Sequence, residues 1–140
     1  LGAFLLRFLI LSDIHANLPA LSAVISDAAG QFDAVLCCGD IVGYGASPVE
    51  VTEWAMRHVK AVVRGNHDKV AAGIEEPEGY NPVAIASLSW TNQRLSGPEL
   101  AWLRDLPRGP LAYADLFLIH GSPIDEDLYL VQEMDVHGLD

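Results

Sequence analysis

The chain begins with an apolar run over residues 4–11, broken only by Arg7 and stopped by Ser12-Asp13-Ile14-His15-Ala16-Asn17. A continuous run of that length predicts a strand buried on both faces. Asn17 then stands where a helix N-cap belongs, and Pro19 suits a first turn. Leu18, Leu21, Val24, Ile25 and Ala28 recur at helical spacing, and Gly30 ends the pattern. The cycle repeats. Residues 34–38 are apolar and end in Gly39-Asp40, and a glycine-rich loop covers 41–47. Pro48 opens a second helix whose apolar face holds Val51, Trp54, Ala55 and Val59. A third short apolar run, 61–63, leads into Arg64-Gly65-Asn66-His67-Asp68.

Strand, helix, strand, helix, strand predicts right-handed βαβ units and a parallel sheet. Ligands of such sheets bind beyond the carboxyl ends of the strands. Each of the three strands is followed at once by polar residues, so the topology brings three chemically loaded loops to one sheet edge. The remainder is less regular. An acidic loop with Gly and Pro is expected over 71–82, helices over 83–95 and 98–106, and strands over 111–113 and 116–119 that turn at Ala114-Asp115. The second strand of that hairpin again ends in chemistry, at His120-Gly121-Ser122-Pro123. Residues 124–140 are acidic and without period.

Length and composition sharpen this picture. The 140 residues suffice for one domain, and a hydrophobic share of 51 % with mean hydropathy +0.24 fits a covered sheet. The first apolar run is too short to span a bilayer, and no small-residue cleavage site follows it. The formal net charge of −11 argues against non-specific nucleic-acid binding, which needs Lys and Arg to neutralise phosphates. Glu75-Glu76, Glu78 and Asp125-Glu126-Asp127 read as solvated loop surface, while part of the acidity suits a cation site. Cys37 and Cys38 point to opposite faces of a strand, so they are expected to be unpaired, in a reducing, cytoplasmic setting.

Asp13, His15, Asp40, Asn66 and His120 form a set of oxygen and imidazole donors from four strand ends. Such a set suits Mn, Fe, Zn, Co or Ni, and the lack of a nearby thiolate argues against a structural zinc site. A carboxylate such as Asp40 can bridge two cations, and a pair roughly 3.5–4 Å apart is the usual device for phosphoester cleavage by an activated water. His67 is the candidate proton donor to the leaving alkoxide, with Asp68 orienting it. Taken singly, each of these residues is an ordinary turn former or solvated side chain. Four loaded strand ends in succession are not explained that way. His58, near a helix end, and His137, in the tail, gain no such support.

These motifs resemble the calcineurin-like metallophosphoesterase superfamily, in its small bacterial and archaeal phosphodiesterase branch. The matching pieces are Asp13-Ile14-His15, Gly39-Asp40, Gly65-Asn66-His67-Asp68 and His120-Gly121-Ser122. The resemblance implies that Asp13 and His15 bind a first metal, Asp40 bridges, Asn66 and His120 bind a second, and His67 is the acid with Asp68 behind it. It implies an α/β fold, the metallophosphoesterase-type αββα sandwich of two mixed sheets flanked by helices, incomplete at the C-terminus in a single truncated domain over 1–140. The family's later Gly-His-x-His does not follow His120, which implies weakened metal binding by this form. The expected activity is a metal-dependent phosphoesterase, more narrowly a phosphodiesterase, with two divalent metal ions, manganese first among them. The expected partner is a small phosphoester, without nucleic acid or membrane. The rival is a non-catalytic protein that keeps the fold as a binding or scaffold module.

Overall fold

Phe8–Leu11 (β1), Ala34–Cys37 (β2) and Val59–Val62 (β3) pair side by side in the order β1-β2-β3, all parallel, in a computed structural model that describes residues 6–137. Phe4 and Leu5 of the expected first strand lie outside the described residues. With right-handed crossovers, this order places both connecting helices on one face. Leu18–Asp27 (α1) and Pro48–His58 (α2) accordingly share a single core, in which Leu21, Val51 and Ala55 pack with Cys37. Asn66–Ala71 (α3), Pro82–Arg94 (α4) and Gly97–Asp105 (α5) join that layer through Val70, Leu88 and Leu103.

The other face of the sheet receives the antiparallel hairpin of Leu111–Tyr113 (β4) and Leu116–Leu118 (β5). Leu36, Ala61, Val63 and Leu118 bury one another there. Leu36 and Cys37 are sequence neighbours in separate cores, as a pleated strand requires. Both cysteines are free thiols, and burial pushes the Cys37 thiol well above its ordinary value. A last short helix, Glu133–Val136 (α6), follows the acidic tail loop. No helix among the described residues is long and apolar enough to cross a membrane.

Local chemistry sets the boundaries. The Asn17 side chain accepts from Ala20 N at 3.1 Å and caps α1. Asn81 does the same for α4, accepting from Ala84 N at 2.9 Å. In β3 the register slips, so that Val35 faces Val59 but Leu36 faces Ala61. Lys60 is thus the extra residue of a bulge on an outer strand of the sheet among the described residues.

Two readings of the sequence need correction. The stretch after Gly65 is not a loop, because α3 starts at Asn66. The acidic turn 125–127 is not solvated surface throughout. Glu126 is 6 % exposed and takes Arg64 Nη2 at 2.8 Å, while Asp127 binds the Nζ of Lys69, itself only 3 % exposed.

Candidate metal centre

The loops after β1 and β2 are joined backbone to backbone. Asp13 N donates to Gly39 O at 3.0 Å, His15 N to Asp40 O at 2.9 Å and Ala16 N to Ile41 O at 2.8 Å. Asp13, His15 and Asp40 all take positive φ, at 54°, 49° and 54°. That left-handed geometry costs non-glycine residues energy and persists where the surroundings hold it, typically at functional sites. The third loop docks on this pair. Asp40 Oδ1 accepts from His67 N at 2.9 Å. A Cβ on Gly65 would collide with that same Oδ1, so only glycine admits so close an approach.

Asp68 fastens the assembly from below. Its Oδ1 accepts from Ile41 N at 2.9 Å and Val42 N at 3.1 Å, and its Oδ2 from Gly65 N at 3.0 Å. The expected contact of Asp68 with the His67 ring is therefore replaced by contacts to backbone, and His67 Nδ1 has no hydrogen-bond partner. The reason is geometric. His67 and Asp68 are consecutive in a helix, so their side chains diverge, and the carboxylate meets the free N–H groups of two loop ends first.

The remaining donors converge above. His15 Nε2 lies 3.7 Å from Asp13 Oδ1 and 3.6 Å from Asp40 Oδ2. His120 Nε2 lies 3.6 Å from Asp40 Oδ1 and 3.1 Å from Asn66 Oδ1. Each imidazole is held from behind by a carbonyl, His15 Nδ1 by Val42 O at 3.1 Å and His120 Nδ1 by Cys38 O at 2.7 Å. With Nδ1 carrying the proton to the carbonyl, each Nε2 presents its lone pair to the centre. Burial, then the charge of Asp68, pushes the Asp40 carboxyl up to about 8. A cation would offset both effects, so the donor set fits a divalent metal in chemistry and in arrangement.

The structure thus brings together Asp13, His15, Asp40, Asn66, His67 and His120. His15, Asp40 and His67 offer donor atoms all within 4.8 Å of one another, so the residue read as an acid also lies within reach of a metal. Burial first, then the neighbouring His15 and His120, lower the His67 imidazole to about 4. His58 instead packs on Trp54, with ring centroids 5.3 Å apart, and His137 caps α6.

Sequence reasoning missed two contributors, Tyr129 and Lys69, and offered Tyr80 only as the end of an acidic loop that borders a pocket or is plain surface. Tyr80 Oη accepts from Asn66 Nδ2 at 2.8 Å, Tyr129 Oη receives a longer contact of 3.5 Å, and Lys69 ties Glu75 and Asp127 together. The position of Tyr80 in the acidic loop was the only available signal, and it did not name a partner. A cleft of about 500 Å³ opens beside Asn66 and His67, walled by Tyr44, Tyr80, Tyr129, Glu75, Glu78 and Asp127.

Carboxylate, amide and imidazole donors gathered at the carboxyl edge of a parallel sheet make a candidate metal centre in an α/β fold. More particularly, the chain belongs to the calcineurin-like phosphoesterase family, whose sequence pattern matches residues 6–140. That family is one of metal-dependent hydrolases, which agrees with the donors found here. An uncharacterized protein of Methanocaldococcus jannaschii is 38 % identical over 100 residues, covering 70 % of this chain and 41 % of its own. The crystal structure of a metallophosphoesterase from Sphaerobacter thermophilus is 38 % identical with a TM-score of 0.79, covering 96 % of this chain and 54 % of its own. A hypothetical protein from Pyrococcus horikoshii OT3 is 25 % identical with a TM-score of 0.63, covering 74 % of this chain and 49 % of its own. The chain therefore spans about half the length of the relatives it matches.

Proposed function

We propose that the protein hydrolyses a phosphodiester at a centre of two divalent cations, manganese first among them. The observation that carries this reading is Asp40, whose two carboxylate oxygens each lie 3.6 Å from a different imidazole, His15 on one side and His120 on the other. Asp13 and His15 would hold one cation, Asn66 and His120 the other, and Asp40 both. Bound there, the cations would lower the pKa of a water and offset the charge of the reacting phosphate.

The other work belongs to the chain. His67 gives a proton to the leaving alkoxide oxygen. With its imidazole lowered to about 4, it is neutral at pH 7 until an anionic phosphate arrives beside it and favours the protonated ring. Asp68 acts at one remove, by fixing the backbone that carries Asn66 and His67. A small phosphoester met in the cytoplasm is the substrate class this reading implies.

Hydrolysis of bis-p-nitrophenyl phosphate by the full-length gene product, with and without Mn²⁺, tests it. Activity should require the metal. His67→Ala should lose about 10²–10⁴-fold in kcat, and Asp40→Asn should fall to the metal-free level. Metal-independent turnover, or variants that match the parent, would overturn the reading.

A further inference from the structure

The cleft beside Asn66 and His67 has a chemistry of its own. Its volume of about 500 Å³ is in the range of small-molecule sites and accommodates more than a phosphoryl group. Tyr44 and Tyr80 flank His67, with ring centroids 4.8 Å and 5.4 Å from the imidazole, and Tyr129 also lines the cleft. Aromatic faces of this kind stack on the flat rings of bases. Tyr80 Oη spends a lone pair on Asn66 Nδ2 at 2.8 Å, so its own O–H turns away from Asn66.

The charges in the walls are of one sign. Glu75, Glu78 and Asp127 line the cleft, and among its described lining residues there is no Lys or Arg. Lys69 is nearby, but its Nζ is taken by Asp127 and by Glu75 at 2.9 Å, and its side chain is 4 % exposed. Arg64 is likewise engaged by Glu126 at 2.8 Å. Glu78 has no cationic partner among the described residues. Glu75 and Asp127 share Lys69, so Glu78 is the lining carboxylate left unpaired among the described residues, and a second or third phosphate would meet it without a free Lys or Arg in the described lining. Amino groups on an aromatic ring would find acceptors.

We propose that this cleft is the leaving-group site, and that it takes an alcohol carrying an aromatic ring with N–H donors and no further phosphate, of which a nucleoside is the type. This rests on the phosphoesterase reading above. The tyrosines supply stacking area, the unpaired Glu78 accepts from the amino groups, and the same carboxylate rejects polyphosphate leaving groups by like-charge repulsion. Specificity here is set as much by what the walls exclude as by what they hold.

The test offers the full-length protein, with Mn²⁺, three substrates: bis-p-nitrophenyl phosphate, a dinucleoside monophosphate, and a dinucleoside tetraphosphate of the same base. The expected kcat/KM for the monophosphate-linked compound is at least about ten-fold above that for the tetraphosphate. Glu78→Lys should narrow the gap by raising the rate on the tetraphosphate, and Tyr44→Ala should raise KM for the dinucleoside monophosphate. Hydrolysis of none of the three would remove the phosphoesterase reading and this inference with it. Hydrolysis of bis-p-nitrophenyl phosphate alone, or of the tetraphosphate as well as or better than the monophosphate, would overturn the inference and leave the phosphoesterase reading standing. A preference unmoved by Glu78→Lys would overturn the role given to the cleft.

Discussion

In the role proposed for it, Asn66 meets a problem that a carboxylate would not: only one end of its amide can face a cation. The structure solves it with Tyr80. Nδ2 donates to Tyr80 Oη at 2.8 Å, and Oδ1 is thereby left toward His120 Nε2 at 3.1 Å. Burial pushes the Tyr80 hydroxyl up to about 12, so it remains a neutral acceptor throughout the physiological range. Tyr80→Phe removes that acceptor while keeping the ring beside His67. Mn²⁺ affinity measured by calorimetry is expected to fall by about 10–100-fold, the usual effect of losing a group that orients a ligand. Tyr129→Phe, whose contact is 3.5 Å, should change it much less. Equal effects of the two substitutions would show that Tyr80 does not set the amide.

At the scale of elements, the centre depends on loops that are stapled to one another by side chains. Asp68 receives three backbone N–H groups, two from the loop after β2 and one from the end of β3. Asp68→Ala leaves all three buried donors without a partner, at about 1–3 kcal/mol each. Thermal unfolding should show the loss in the metal-free protein, where a role confined to His67 chemistry would show nothing. Lys69 holds the tail loop in the same way. Lys69→Met should release residues 125–129, seen as faster amide exchange there with the β1-β2-β3 sheet unchanged. The sheet was legible in the sequence because its strands and α1 and α2 follow simple periodicities, and so was the gathering of Asp13, His15, Asp40 and Asn66, which the parallel topology brings to one edge, whereas His120 arrives from the separate β4-β5 hairpin and was legible only as a fourth loaded strand end. The partner of Asp68 was not legible, because it depends on which free N–H lies nearest in space. Nor was the burial of Glu126, since Arg64 lies 62 residues away and an acidic turn reads the same whether paired or solvated.

For the whole molecule, the question is how a chain of net charge −11 tolerates Asp40 and Asp68 buried beneath one site. In the metal-free protein the Asp40 carboxyl is pushed from an ordinary 3.8 up to about 8. A raised carboxyl stabilises the fold at low pH, and that contribution is lost as pH rises toward the folded value. Asp68, also raised by burial, acts with the same sign. His67 is lowered from 6.5 to about 4 and acts oppositely: its contribution is complete above 6.5 and is lost as pH falls toward 4. Below pH 6.5 the two trends compete, and above it the Asp40 carboxyl is no longer opposed by His67. The melting temperature of the metal-free protein is therefore expected to fall between pH 6.5 and 8, by about 1.4 kcal/mol of stability per pH unit for each proton released. Mn²⁺ should restore more stability at pH 8 than at pH 6.5, because a cation stabilises the ionised carboxylates that the free protein disfavours. In Asp40→Asn both the fall and the extra recovery should shrink. A flat profile in the parent protein, or a profile that Asp40→Asn leaves unchanged, would mean that the buried carboxylates are not what couples this fold to a cation.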